Sequence, residues 1–225
     1  MSRVLLGRTN RYVFPVWARG QLSGEGSAEE RAARLFSALL ESPIETLDIS
    51  PAIALWGRFL REHAHQLQIA VVSPQNLLLQ APDARIAANL VQAHIIETLC
   101  AVGRTHIEYY FLALHDPPNE TQLSGALEAL ELARQEGHIG AIGLAAYGKP
   151  LAILALWRMH DAFEVALLPD NSEHRQTLLP EARARRAGVV LHLTDGHVID
   201  PPQVALAQIE TAVALASALQ RHSDP

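Results

Sequence analysis

Hydrophobic residues follow two spacings along the chain, one typical of helices that bury a single face and one typical of buried strands. Residues 27–40 place Leu35, Phe36 and Leu39 at three- and four-residue intervals, which predicts an amphipathic helix. Residues 139–144 instead form an uncharged apolar run, as expected for a parallel strand covered on both faces. The two patterns predict a protein of alternating helices and parallel strands.

The same alternation continues along the chain of 225 residues. Further predicted strands lie at 13–17, 44–49, 67–72, 107–114 and 189–193, with one more that begins at Phe163; further predicted helices lie at 55–62, 83–103, 125–134, 151–159, 178–187 and 203–219. We expect residues 1–225 to form a single domain, an α/β protein of the (β/α)8 TIM-barrel type.

This barrel is predicted to be reduced in its last part. A (β/α)8 barrel typically needs about 250 residues, so 225 is short. After the strand at 189–193, the chain runs through Pro201-Pro202 directly into the predicted helix 203–219. We therefore expect seven or eight strands, with strand 8 truncated to a stub or missing.

Composition and charge exclude several classes of protein. The net charge is −6 and there is no basic run, so we expect no nucleic acid and no anionic membrane as a partner. Cys100 is the only cysteine, which excludes a disulfide framework, and its apolar helical surroundings predict a buried thiol. No signal pattern and no apolar run of about eighteen residues is present, so we expect a cytoplasmic protein.

Four stretches, in order along the chain, resemble the aldo-keto reductase family. They are Leu6-Gly7-Arg8-Thr9, the predicted helix 55–62, residues 98–103, and the sequence 136–148 that joins a helix to a strand through Gly137. The resemblance covers residues 6–195 and implies the barrel fold of that family. It also implies descent from an enzyme that reduces carbonyl groups with NADPH.

The resemblance also implies where the ancestral site lies. The family uses a tetrad of aspartate, tyrosine, lysine and histidine, and Asp48 and His115 fall at its aspartate and histidine positions. The tyrosine position is Ile53, and the strand at 67–72 continues into Ser73 where the family has its lysine. Without that lysine, we expect Asp48 and His115 to pair directly, which would make His115 a usable acid at neutral pH.

A second tyrosine and lysine could replace the lost pair. Lys149 is the only lysine of the chain and lies two residues after Tyr147, just past the predicted strand 139–144. A cation beside a phenol lowers its pKa and supports acid catalysis. The alternative is that Tyr147 packs in a turn and Lys149 stands there by chance. Asp48, His115, Tyr147 and Lys149 are the catalytic candidates.

The cofactor contacts of the family are missing from the sequence. Ala145-Ala146 stand where the family has the Ser-Asn pair that holds nicotinamide, and Arg19 stands where small residues admit the cofactor. Residues 194–196 offer neither a glycine-rich turn nor a basic side chain for phosphate. We therefore expect no cofactor and the loss of NADPH binding.

Other side chains are expected at the mouth of the barrel, where barrels place their chemistry. As substrate-binding candidates we name Trp17, Asp116, Asn171, His192 and Asp195. The alternative for the polar ones is that they cap helices. We expect no metal, because the family binds none and these residues form no short ligand motif.

Three functions stay open at this point. The first is a protein that has lost redox chemistry and uses its mouth to bind a small molecule or to perform cofactor-free acid–base chemistry, such as cyclisation, elimination or isomerisation. The second is an atypical NAD(P)H-dependent oxidoreductase with a rearranged site. The third is a structural or regulatory subunit that acts through its outer helices, with a protein partner or in a homo-oligomer.

Overall fold

The computed structural model describes residues 2–22, 27–62, 67–116, 118–193, 203–209 and 212–221. Its strands are β1 Val4–Leu5, β2 Tyr12–Val13, β3 Val16–Gly20, β4 Thr46–Asp48, β5 Gln68–Val72, β6 Ile107–Leu114, β7 Ile139–Ala146, β8 Val165–Pro169, β9 Gly188–Leu193 and β10 Val204–Ile209. Its α-helices are α1 Ala28–Leu40, α2 Ile53–Glu62, α3 Ala84–Val102, α4 Glu120–Gln135, α5 Pro150–Met159, α6 Ser172–Ala184 and α7 Ala212–Arg221.

Strands β3 to β10 form a closed parallel barrel, in the order β10-β3-β4-β5-β6-β7-β8-β9. The TIM-barrel fold predicted from the hydrophobic pattern is confirmed. The helices follow the strands along the chain, and a hydrophobic layer joins the outward side chains of the barrel to the buried faces of the helices.

The prediction of a truncated or missing eighth strand is wrong. Strand β10 occupies Val204–Ile209, within the segment predicted as the helix 203–219, and only α7 at Ala212–Arg221 is helical there. Strand β10 pairs with β3 over five residues and with β9 over four, so it closes the barrel fully. Val204 and Leu206 face the interior, whereas Ala205 and Ala207 pack outward. Pairing on both sides overrides the helix propensity of an alanine-rich sequence.

Buried side chains of the described residues fill the barrel interior. Trp17 is 1% exposed and its ring lies 4.6 Å from that of Tyr109, between centroids. At the amino-terminal end of the strands, the antiparallel hairpin β1–β2 inserts Leu6 and Val13 into the same interior cluster. The hairpin closes one end, so chemistry is left to the other end, which we call the mouth.

Two further predictions from the sequence concern Cys100 and membrane-spanning helices. Cys100 is exposed on α3, contrary to the prediction of a buried thiol, because the buried face of that helix carries Thr98, Leu99 and Val102 instead. Within the described ranges, no helix combines the length and the apolar character needed to cross a membrane.

Candidate functional site

Four polar side chains from four strands converge on the mouth. Arg19 on β3 and Asp48 on β4 are directly paired in the sheet. Both stand at positions of their strands that face the barrel interior, since Trp17 faces inward and Ala18 and Leu47 pack outward. Tyr147 comes directly after β7, and His192 lies on β9 two residues after the interior residue Val190. Successive side chains of a strand alternate between the two faces of a sheet, so this convergence follows from register alone.

Asp48 is the buried centre of this group. Its Oδ1 accepts a hydrogen bond from the Ser50 backbone N–H at 2.9 Å and one from the Ser50 hydroxyl, while Oδ2 lies 3.1 Å from a guanidinium nitrogen of Arg19. The Ser50 hydroxyl also accepts from the Val72 N–H at 2.7 Å, which ties the group to β5. Burial raises the pKa of Asp48, and Arg19 and Ser50 oppose that rise.

Tyr147 presents its hydroxyl to the mouth. Its backbone N–H donates to the Leu114 carbonyl at 3.0 Å, which fixes the residue to the end of β6. Burial raises the pKa of the phenol, and Arg19 beside it acts in the opposite direction, although the hydroxyl makes no hydrogen bond of regular geometry with described residues. Tyr147 is therefore a protonated phenol at neutral pH, with Arg19 beside its hydroxyl.

His192 is the fourth member of the group and lies close enough to Arg19 for the arginine charge to act on its ring. Burial, and then the charge of Arg19, lower the pKa of His192 to about 4. Its Nε2 atom is buried and has no hydrogen-bond partner among the described residues. The ring is neutral at pH 7, and can accept as well as donate a proton.

A cavity of about 340 Å³ opens beside this group. Its lining comes from the ends of β3, β5 and β7, from the turn after β4, and from α3: Arg19, Ser50, Ile53, Val72, Ser73, Pro74, Gln75, His94 and Tyr147. The Nδ1 atom of His94 lies 2.9 Å from the hydroxyl oxygen of Tyr110. Burial lowers the pKa of His94.

The sequence does not identify Arg19 or His94 as part of a functional site. Arg19 reads in the sequence as an obstacle to cofactor, because its pairing with Asp48 depends on the register of two strands, which a single sequence does not state. His94 gives no signal, because a single histidine within an amphipathic helix is usually a surface or packing residue.

The structure does not bring together the pairs that the sequence predicted. His115 and Asp116 are both exposed after the end of β6, and in the described part of the chain Asp48 bonds to Ser50 and Arg19 rather than to His115. Lys149 is exposed at the N-cap of α5, and the cation that acts on Tyr147 is Arg19. The structure replaces the expected Asp48–His115 and Tyr147–Lys149 pairs. Arg19 forms the ion pair with Asp48, and it is also the cation beside Tyr147.

Of the remaining substrate-binding candidates, Asn171 caps a helix, Trp17 lies under the mouth and Asp195 is not described. Asn171 caps α6, since its Oδ1 accepts from the His174 N–H at 2.9 Å, and the His174 ring contacts the Gly148 carbonyl at 3.0 Å. Trp17 lies buried below Asp48 and forms part of the apolar floor of the mouth. Asp195 lies outside the described residues. Among the residues that the structure describes, no cluster of three or more His, Cys, Asp or Glu is arranged to hold a metal ion.

Replacing Gly148 with alanine should disturb the position of Tyr147. A Cβ at Gly148 would lie 1.7 Å from the carbonyl oxygen of His115, so the segment after β7 must move. We expect a loss of about 1–3 kcal/mol in the free energy of unfolding, together with shifted NMR signals of the Tyr147 ring.

The matched control is Gly137→Ala. Gly137 has φ +78°, and a Cβ there would have no atom within 4 Å, so alanine is strained without a clash. This control should cost about 1–2 kcal/mol and leave the Tyr147 signals in place. Unchanged Tyr147 signals in Gly148→Ala would contradict the close packing after β6 and β7.

Comparisons with solved structures agree with this architecture. An aldo-keto reductase from Bacillus halodurans, in its holo form, superposes with a TM-score of 0.77 at 14% identity, over 100% of this chain and 91% of that one. An aldo/keto reductase from Klebsiella pneumoniae in complex with NADP and acetate gives a TM-score of 0.76 at 14% identity, over 98% of this chain and 90% of that one. No family model matches the chain, and no curated protein matches it.

These neighbours overturn the expectation that NADPH binding has been lost. One of them is a holo form and another was solved with NADP, and both share the barrel over nearly the whole chain. Missing family residues are therefore an insufficient ground for that expectation. The resemblance seen in the sequence is confirmed in three dimensions: the chain has the aldo-keto reductase fold.

Proposed function

We propose that the mouth binds a small molecule with a carbonyl or carboxylate group and acts on it by hydrogen bonding and proton transfer. One observation carries the proposal: Arg19, Asp48, Tyr147 and His192 meet in one place. Arg19 and Asp48 pair with each other there, whereas the Tyr147 hydroxyl and His192 Nε2 are buried without a regular hydrogen-bond partner in the described part. Buried polar groups normally have partners, and these two unpaired ones close to a cavity favour a ligand site there.

The chemistry follows from the protonation states. The Tyr147 hydroxyl, protonated at neutral pH, donates a proton to a carbonyl oxygen, and the positive charge of Arg19 stabilises the phenolate left behind. The neutral imidazole of His192 accepts a proton from the carbon next to the carbonyl. One proton is taken from carbon and one is given to oxygen, so the step yields an enol and is balanced. Asp48 holds Arg19 in position.

NAD(P)H-dependent carbonyl reduction is the second candidate. It is favoured by the Klebsiella pneumoniae neighbour of the same fold, which was solved with NADP and acetate. A reduced nicotinamide would supply the hydride in such a reaction, and Tyr147 would supply the proton to the carbonyl oxygen. Barrels of this kind bind phosphate groups after their last two strands. Residues 194–202 and 210–211, which follow β9 and β10 in the sequence, lie outside the described residues.

The two candidates give different results in one experiment. We expect acetate to bind in a calorimetric titration, and small α-hydrogen ketones to exchange those hydrogens with deuterated solvent in the presence of the protein. Oxidation of NADPH by the same ketones would select the reductase candidate. Exchange without NADPH oxidation would select acid–base chemistry, and the absence of acetate binding, exchange and oxidation would refute a functional mouth.

The pH dependence of exchange tests the role of His192. A base works only when unprotonated, and the pKa of His192 is lowered from 6.5 to about 4. Exchange should therefore stay level from neutral pH to about pH 5 and decline near pH 4. A decline centred near 6.5 would assign the base to a histidine of ordinary pKa instead.

A further inference from the structure

A second and larger cavity lies at the opposite end of the barrel from the mouth. Its volume is about 600 Å³, within the range of roughly 300–1,000 Å³ typical of small-molecule sites. It lies between the hairpin, the carboxyl end of α6 and the first residues of β9. Leu5, Leu179 and Val189 give it an apolar wall.

Two arginines place positive charge on this cavity. Arg183 and Arg186 both line it, and neither has an ion-pair partner among the described residues. The nearby carboxylates of Asp161 and Glu181 are already bound to other arginines. In a chain of net charge −6, this is a local excess of positive charge.

Arg186 is held in an unusual backbone conformation. It follows the last turn of α6 with φ 55°, the left-handed position where helices usually have glycine. Its carbonyl accepts the Arg8 N–H at 2.7 Å, which fixes the backbone there. Glycine would relieve the strain, so an arginine at this position indicates a use for its side chain.

Gln203 supplies a third, independent feature. It lines the cavity, is 8% exposed, and its Oε1 has no hydrogen-bond partner among the described residues. A buried carbonyl oxygen without a partner is costly, and a hydroxyl or N–H group of a ligand would satisfy it.

We propose that this cavity binds a small organic anion. The carboxylate or phosphate group lies between Arg183 and Arg186, the apolar body packs on Leu179 and Val189, and a donor group of the ligand reaches Gln203 Oε1. The site is separate from the mouth and does not depend on the function proposed there.

Three probes with one ring system test this proposal: 2-naphthoate, 2-naphthyl phosphate and uncharged 2-naphthol, each titrated by calorimetry. We expect both anions to bind and 2-naphthol to bind at least tenfold more weakly. The tighter of the two anions identifies the preferred head group. Equal affinity for naphthol and the anions would overturn the charge requirement.

The decisive variant is Arg186→Gly, which removes the charge and relieves the backbone strain together. We expect naphthoate to bind roughly tenfold or more weakly, as for loss of a charged hydrogen bond, while the melting temperature stays the same or rises. Gln203→Leu should weaken the binding of 6-hydroxy-2-naphthoate, whose hydroxyl donates to Oε1, more than that of 2-naphthoate, which has no donor. Arg34→Ala, at an exposed arginine on α1, should weaken neither. Full binding in both Arg186→Gly and Gln203→Leu would overturn the site, and would place any bound naphthoate elsewhere, including the mouth.

Discussion

Replacing Arg19 with methionine should destabilise the barrel by about 3–5 kcal/mol at neutral pH, the cost of breaking a buried ion pair on one side. The guanidinium lies 3.1 Å from Asp48 Oδ2, and the Asp48 side chain is 1% exposed. Methionine fills a similar volume but leaves the carboxylate without a counter-charge. Urea unfolding, followed by circular dichroism, measures the loss.

The pH dependence of this loss has a definite sign. Burial raises the folded-state pKa of Asp48 above its ordinary 3.8, so between the two values the folded state holds a proton that the unfolded state has released. Stability therefore falls as the pH rises through that window. Without Arg19 the folded pKa rises further, so the deficit of Arg19→Met should be greatest at neutral pH and shrink toward pH 3.8.

Two further variants control for the loss of an arginine. Arg58→Met removes an exposed pair with Glu29 and should cost about 0–1 kcal/mol. In the double variant Arg19→Met/Asp48→Asn the buried charge is gone, and most of the stability should return. If Arg19→Met were as stable as the parent at neutral pH, the pair would not be the buried interaction described above.

Tyr147→Phe should lower any turnover at the mouth by about 10²–10⁴-fold, the usual contribution of a positioned proton donor. Phenylalanine keeps the ring but removes the hydroxyl, which has no regular hydrogen-bond partner among the described residues. The fold should therefore be unaffected or slightly stabilised. Steady-state rates and thermal unfolding of the same preparations separate the two effects.

Tyr12→Phe is the matched control, because Tyr12 is 63% exposed on the hairpin, at the other end of the barrel. It should retain full turnover. Normal turnover in Tyr147→Phe would transfer the proton donor to another group and remove the main support for chemistry at the mouth. A parallel loss in both variants would point to a general effect of the substitutions.

The fold could be predicted from the sequence because barrel strands are buried on both faces and their helices on one. The uncharged run of β7 and the spacing of Leu35, Phe36 and Leu39 in α1 carry this information locally. Strand β10 could not be predicted in this way. Ala205 and Ala207 favour a helix by propensity, and only the partners β3 and β9, distant in sequence, make the segment a strand.

The candidate site was harder to predict than the fold. Asp48, Tyr147 and His192 can be named from strand ends, and all three meet at the mouth. Their partner Arg19 cannot, because a pairing across strands depends on register, which a single sequence does not state. His115 fits a family motif, yet β6 ends one residue before it and leaves it exposed.

Closure by β10 also has a consequence for folding kinetics. Trp17 of β3 and Leu206 of β10 are sheet partners separated by 189 positions (206 − 17), so the last seam of the barrel depends on a very long loop closure. Until that seam forms, β3 and β9 each present an unpaired strand edge, which is a template for association between chains. Refolding at high protein concentration should therefore lose yield to aggregation, and a substitution that weakens β10 should increase that loss before it alters the native barrel.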